Sequence, residues 1–258
     1  SIDFGARRGW EKRVLLLNTD KALEIPVKGV GPAAVVKCRA GVQGTLRNGV
    51  LSLRATPGEK PVLSSFSICD GEREQLMTVL VCRGARLLTP DQALFQPEAY
   101  TLENGLLKSL KARKSGVDFR FKLPAALNGK FAVLTLARPG TPGARGGGPL
   151  FQLRKPDGKS DTLIRKSNLS SEYIKADIGH IFRWAYPQKG RYAYFYPDLL
   201  DFSGTDELTI RAADPGAEFA ALLLIPAENR EEIFPILRYF ICLNNLPERF
   251  PEGEGSLP

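Results

Sequence analysis

Between Val117 and Leu123 the chain alternates without a break. Val117, Phe119 and Phe121 fall on one face, and Asp118, Arg120 and Lys122 on the other. Successive side chains of an extended strand point to opposite faces, so this period fits a half-buried β-strand and does not fit a helix. Shorter segments of the same kind recur at close spacing: Val14–Leu17, Ala22–Val27, Ala33–Cys38, Val62–Ile68 and Met77–Cys82. Gln43–Leu46 and Val50–Leu53 flank Arg47-Asn48-Gly49, and Asn-Gly between apolar runs is the strongest short-range hairpin signal. Strands at this spacing with no convincing helix between them predict an all-β, antiparallel sandwich fold.

The pattern divides near Pro90–Glu98, a polar connector with proline at both ends. Residues 1–90 are expected to form a smaller β-sandwich of the immunoglobulin or jelly-roll kind, with Arg86–Thr89 as its closing strand. Residues 99–258 are expected to form a larger, jelly-roll-like one. In the second region Lys130–Leu136 follows the Asn128-Gly129 turn, and Leu150–Leu153 and Thr162–Ile164 flank Pro156-Asp157-Gly158. Arg138–Gly148 is rich in glycine and proline and reads as a loop. Glu207–Ala212 alternates, whereas Phe219–Ile225 is continuously apolar. Ala227–Glu232 reads as a helix start with acids in its first turn, interrupted by Pro235, so a short helical segment closes the fold. Ala85–Pro90 and Ala221–Pro226 share an order of apolar strand, proline, polar stretch and phenylalanine near proline, the trace that tandem copies of one sandwich would leave.

Residues 181–196 concentrate the aromatic side chains. Phe182, Trp184 and Tyr186 alternate before Pro187-Gln188-Lys189-Gly190, and Tyr192, Tyr194 and Tyr196 alternate after it. Phe182 and Trp184 suit a core. The tyrosines are harder to bury because each hydroxyl needs a partner. A solvent-facing aromatic surface suits the C–H face of a sugar ring, with Arg183 and Arg191 binding hydroxyls at its rim. Register decides between two arrangements. A four-residue loop pairs Tyr186 with Arg191, Trp184 with Ala193 and Phe182 with Phe195, and sets Arg183 beside Tyr194. A one-residue change in the loop gathers all the aromatics on one face. The candidate ligand-binding set is Arg183, Trp184, Arg191, Tyr192, Tyr194 and Tyr196; the first register is preferred and puts the weight on Arg183 and the three tyrosines.

Composition bounds the remaining classes. Hydrophobic residues make up 43% and charged residues 25% of 258, ordinary for a globular protein and inconsistent with wholesale disorder. The longest apolar run, Phe219–Ile225, is far too short to span a bilayer as a helix. A net charge of +8 favours anionic partners, but its densest cluster is only Lys108, Lys111, Arg113 and Lys114, and no run of five like charges suggests a nucleic-acid tail. The chain starts at Ser1 without methionine, which fits either a processed secreted protein or a piece of a larger one. Cys38, Cys69, Cys82 and Cys242 form no CxxC, and His180 is the only histidine, so a zinc site is not expected. A disulfide among the first three and buried free thiols are both compatible with their spacing.

Catalytic motifs are weak. Gly29–Ala34 fits GxGxxA, but a strand follows it where a dinucleotide site needs a helix. His180 follows Asp177 by three residues, an arrangement able to serve as a general base, yet no GxSxG nucleophile accompanies it. Asp198, Asp201, Asp206 and Glu207 match glycosidase carboxylates or calcium ligands in type, and turn residues and caps in spacing.

Gly190-Arg-Tyr-Ala-Tyr-Phe, Glu207-Leu-Thr-Ile-Arg and Phe219–Pro226 resemble strands of the galactose-binding-like jelly-roll modules appended to bacterial carbohydrate-active enzymes, over residues 100–235. That resemblance implies an extracellular or cell-surface module that binds polysaccharide, an acidic one included, without cleaving it. It implies no cofactor other than a structural calcium, for which no ligands are assigned. The alternatives are a structural or adhesive sandwich making protein contacts in a surface layer or virion, and a lyase or hydrolase acting on an acidic glycan.

Overall fold

The computed structural model describes residues 2, 14–17, 21–103, 105–110, 116–140, 149–165, 181–183, 192–196 and 198–245, with the backbone alone for 181–183, 192 and 238–245. The first part forms β1 (Val14–Leu17), β2 (Leu23–Pro26), β3 (Val35–Cys38), β4 (Val42–Arg47), β5 (Val50–Ala55), β6 (Val62–Asp70) and β7 (Arg73–Val81). They make a four-stranded sheet ordered β1-β7-β6-β3 and a three-stranded sheet ordered β2-β5-β4. Ile25, Leu51, Leu53, Phe66, Ile68 and Val79 form the core of this first sandwich. The Asn-Gly hairpin forms as read: Asn48 (φ 51°) and Gly49 (φ 73°) take the left-handed conformations of a two-residue turn that matches strand twist, with Arg47 opposite Val50. One pairing departs from the antiparallel expectation, since β1 runs parallel to β7.

The second part contains β8 (Arg86–Leu88), β9 (Ala93–Leu94), β10 (Tyr100–Glu103), β11 (Leu106–Ser109), β12 (Val117–Leu127), β13 (Lys130–Arg138), β14 (Pro149–Arg154), β15 (Ser160–Arg165), β16 (Ile181–Arg183), β17 (Tyr192–Phe195), β18 (Leu200–Asp201), β19 (Thr205–Ala212) and β20 (Glu218–Pro226), followed by helix α1 (Arg230–Asn245). One sheet runs β10-β11-β20-β13-β17-β16, with β18 on β13 and β8 on β20; the other runs β15-β14-β19-β12-β9. The main core lies between them and includes Phe119, Phe121, Phe151, Phe202, Leu208, Ile210 and Phe219. The protein is thus an all-β sandwich fold with one C-terminal helix.

One segment assigned by sequence to the first region and one in the expected connector belong to the second region. Arg86–Leu88 pairs with β20 instead of closing the smaller sandwich, and Ala93–Leu94, within the expected connector, pairs with β12. The two similar apolar segments are therefore partners in one sheet, Leu88 opposite Leu222, and not equivalent strands of two duplicated sandwiches.

The apolar run of β20 is explained by burial on both faces. One face joins the main core. The other joins a second cluster in which Leu134, Leu136, Leu223 and Ile225 meet Val14, Leu16 and Leu80 of the first sandwich, and Ile233 and Leu237 of α1. A strand covered on both sides reads as a continuous apolar run instead of an alternation. Helix α1 continues through Pro235, which was expected to break it. Pro235 is exposed, so the carbonyl it leaves unbonded is close to water. Meanwhile Phe234 stacks on Phe195 with ring centroids 3.8 Å apart and anchors the helix to the sheet.

Cys38, Cys69 and Cys82 are free thiols. Burial pushes the Cys82 thiol up to about 12.

Asp70 joins the end of β6 to the loop before β3. It accepts the Gly31 N–H at 2.8 Å and an Arg73 N–H at 2.5 Å. These bonds, the backbone one foremost, hold its carboxyl below the usual carboxylate range. Its stabilising effect is therefore present above the unfolded-state pKa, about 4, and is lost as pH falls through the lower folded-state value. Urea midpoints of wild type and Asp70→Asn are expected to differ near neutrality and to converge as the pH falls below about 4. A constant gap down to pH 3 would disprove this account.

Candidate functional site

The inner face of β12 buries Val117, Phe119, Phe121 and Leu123. Its outer face therefore presents Asp118, Arg120 and Lys122, and pairing carries this polar face across the sheet. Arg211 on β19 lies opposite both Asp118 and Gln152 of β14, and Thr209 lies opposite both Arg120 and Arg154. Beyond them Thr162 and Ser160 of β15 complete the rows, and Leu94 of β9 ends one. Among the described residues no apolar cluster lies on this side of the sheet.

The charges on this face hold one another in place. Arg211 reaches Asp118 with two bonds, Nε to Oδ1 at 2.7 Å and Nη2 to Oδ2 at 2.9 Å. Arg120 reaches Glu207 Oε1 through Nε at 3.1 Å and Nη2 at 2.5 Å. Both guanidinium groups are held above their ordinary pKa, chiefly by the hydrogen bond to the partner carboxylate. The Arg211–Asp118 pair joins two nitrogens to two oxygens and so fixes the planes of both groups, whereas both Arg120 bonds converge on one Glu207 oxygen. Each Asp118 oxygen accepts one of these bonds and keeps a lone pair for a further donor, as does Glu207 Oε2. The arrangement is a grid of planar donors and acceptors, part-buried at Arg211 and Asp118 and more exposed at Arg120 and Glu207.

Two of the carboxylates after the hairpin are engaged by neighbouring groups. Glu207 binds Arg120. Asp201 accepts the Ser203 N–H at 2.9 Å and its hydroxyl at 2.7 Å, a turn cap that lowers its pKa. Asp198 and Asp206 are exposed. Among the described residues no group of His, Cys, Asp and Glu is arranged to hold a metal.

The hairpin differs from its expected register. Ile181 lies opposite Tyr194, Phe182 opposite Ala193 and Arg183 opposite Tyr192. Arg183 was expected beside Tyr194, so the strands have slipped by two residues. A two-residue slip preserves the alternation, which is why periodicity cannot detect it. What fixes β17 is its other neighbour: β13 places Leu134 opposite Phe195 and Leu136 opposite Ala193. Tyr194 is 7% exposed and packs in the main core, and Tyr196 is half-buried against the same core. The expected solvent-facing tyrosine surface is thus turned inward at these two positions, because the opposite face of β17 is already claimed by Phe195 and Ala193 under α1. Burial, reinforced by Asp161 and Asp198, pushes the Tyr196 phenol up. Trp184, Arg191 and His180, and the side chains of Arg183 and Tyr192, lie outside the described residues.

No protein-family model and no curated protein matches this chain. Among solved structures it is similar to a family GH115 4-O-methyl-alpha-glucuronidase with specificity for decorated arabinogalactans, at 15% identity and a TM-score of 0.35. The match covers 55% of this chain and 17% of that one, so the chain spans under a fifth of that enzyme. A likeness this loose carries no argument about the site.

Phe95 was read as connector, yet it stands 58% exposed just beyond β9, packed toward Tyr100 and next to Leu94, which ends the Arg120 row. An edge-to-face contact with Tyr100, centroids 5.4 Å apart, fixes its ring. Tyr100 in turn donates its hydroxyl to the Leu94 carbonyl. The alternation of β12 and β19 could have revealed the polar face; nothing local marks Phe95. A separate cleft of about 420 Å³ lies among Gly84, Arg86, Leu127, Asn128, Phe131 and Pro226.

Proposed function

We propose that this protein binds carbohydrate without cleaving it, through the outer face of the five-stranded sheet. The observation that carries the reading is the row Gln152–Arg211–Asp118, three planar hydrogen-bonding side chains on neighbouring strands, two of them locked together by a forked pair. Vicinal sugar hydroxyls are matched by planar groups that donate and accept side by side. A grid fixed before binding loses little side-chain entropy when the ligand arrives. Phe95 offers an apolar ring at the edge for the C–H face of a sugar.

Affinity electrophoresis through gels containing plant and bacterial polysaccharides tests this directly. Wild type is expected to be retarded by at least one polymer. The double variant Gln152→Ala/Asp118→Ala is expected to lose about tenfold or more in affinity, the size of one lost charge-assisted hydrogen bond. Trp184→Ala reports any contribution from the hairpin. Retardation unchanged in the double variant would reject this face as the site.

One observation favours the structural or adhesive reading instead. Val35, Leu63 and Leu76 are 51%, 43% and 62% exposed on strands of the four-stranded sheet, one edge of which is β3. Exposed apolar positions beside a sheet edge fit protein contacts. A stable homo-oligomer in light scattering, dispersed by Leu76→Lys, together with no glycan retardation, would favour it.

A further inference from the structure

The cations on the polar face are not equally neutralised. Arg211 is held by Asp118, and Arg120 by Glu207, which also lies opposite Lys122. Arg154 has no carboxylate among the described residues. Its Nε donates to the Ser160 hydroxyl at 3.3 Å. Overall the face carries Arg120, Lys122, Arg154 and Arg211 against Asp118 and Glu207. Arg154 and Arg120 stand in one cross-strand row with Thr209 between them. Two strand spacings separate their backbones by about 10 Å. Arg154 Nε is turned to Ser160 on the β15 side, so its guanidinium must swing toward β19 to meet an anion over Thr209.

We infer that this row is an anion subsite, and that the carbohydrate it takes is acidic: a polysaccharide bearing carboxylate or sulfate groups, one of which sits over Thr209 between Arg154 and Arg120. The inference rests on the glycan-binding reading above and adds its substrate class. Arg154 is the group that selects. Its planar fork matches an oxyanion, and no protein carboxylate competes for it among the described residues. Arg120, already engaged by Glu207, contributes its remaining donors. The Asp118 and Glu207 carboxylates repel an anion placed elsewhere on the face and so fix its register.

The test compares four immobilised polymers: polygalacturonate, the same polymer with its carboxyls reduced to alcohols, dextran sulfate and dextran. Wild type is expected to bind polygalacturonate, dextran sulfate or both at least about tenfold more tightly than the matched neutral polymer, with affinity falling as salt rises. Arg154→Gln is expected to reduce binding to the neutral level, while Lys37→Gln, which removes the same charge from the first sandwich, leaves it unchanged. Preference for one acidic polymer distinguishes carboxylate from sulfate. Equal binding of acidic and neutral polymers would overturn the anion subsite and leave glycan binding standing. Equal losses in Arg154→Gln and Lys37→Gln would overturn it in favour of diffuse charge attraction. Binding to none of these or the earlier polymers would overturn both readings.

Discussion

Phe119→Ala is expected to cost about 3–5 kcal/mol of stability, the range for removing a fully buried aromatic ring. Phe119 is 0% exposed and sits at the centre of the main core. Its ring meets Tyr100 edge-on at 5.1 Å and Phe219 at 6.2 Å. Those partners come from β10 and β20 of the opposing sheet, so the cavity would open between the two layers. Collapse around it is opposed by the Tyr100 hydroxyl, which is tied to the Leu94 carbonyl. The control is Phe95→Ala: that ring is 58% exposed and touches the same tyrosine from outside. It is expected to cost under about 1 kcal/mol. Urea unfolding of both variants checks the contrast. A Phe119→Ala loss no larger than that of Phe95→Ala would contradict the packing described.

Gly84→Ala is the second large effect, expected at about 2–4 kcal/mol. Gly84 lies between β7 and β8, where the chain passes from the first sandwich to the second. Its φ of 69° disfavours any side chain, and an added Cβ would lie 2.5 Å from the Glu59 carbonyl oxygen and 2.7 Å from Asn229 Nδ2. The Glu59 oxygen is backbone and cannot rotate away. Relief requires moving the 56–61 loop, which Arg83 pins from beneath by donating to the Thr56 carbonyl at 2.9 Å. The Gly84 carbonyl also accepts Asn229 Nδ2 at 2.9 Å, so the lead-in to α1 is disturbed as well. Asn229→Ala removes only that bond and is expected to cost about 1 kcal/mol. Hydrogen exchange should show faster opening of residues 56–61 in Gly84→Ala and not in Asn229→Ala. Equal protection in the two variants would show that the close approach is not a constraint.

Alternation was enough to place many of the strands. Val117–Leu123, the Asn48-Gly49 hairpin and Glu207–Ala212 each carry their period in their own residues, because one side of each strand is buried and the other is wet. The polar face followed from the same alternation once β12, β14 and β19 were known to be neighbours, which no local pattern states. The hairpin was misread for a related reason. Its aromatic alternation is real, but β17 is buried on both faces at Ala193, Tyr194 and Phe195, and a two-residue slip leaves the pattern unchanged. Arg86–Leu88 was assigned to the wrong region, and Ala93–Leu94 to the connector, because short strands follow available hydrogen-bonding edges, not the nearest neighbour in sequence.

By itself the sequence determined that this protein is built of β-strands, where many of them begin and turn, and which sides of the alternating ones are apolar. These follow from side-chain direction and turn chemistry, which act within a few residues. The tertiary structure alone decided which strands are partners, that the two sandwiches share a buried cluster with the helix, and that Arg154, Thr209 and Arg120 share one cross-strand row. Strand pairing joins residues far apart in the chain through backbone groups that every residue carries, so the side-chain pattern does not encode it locally.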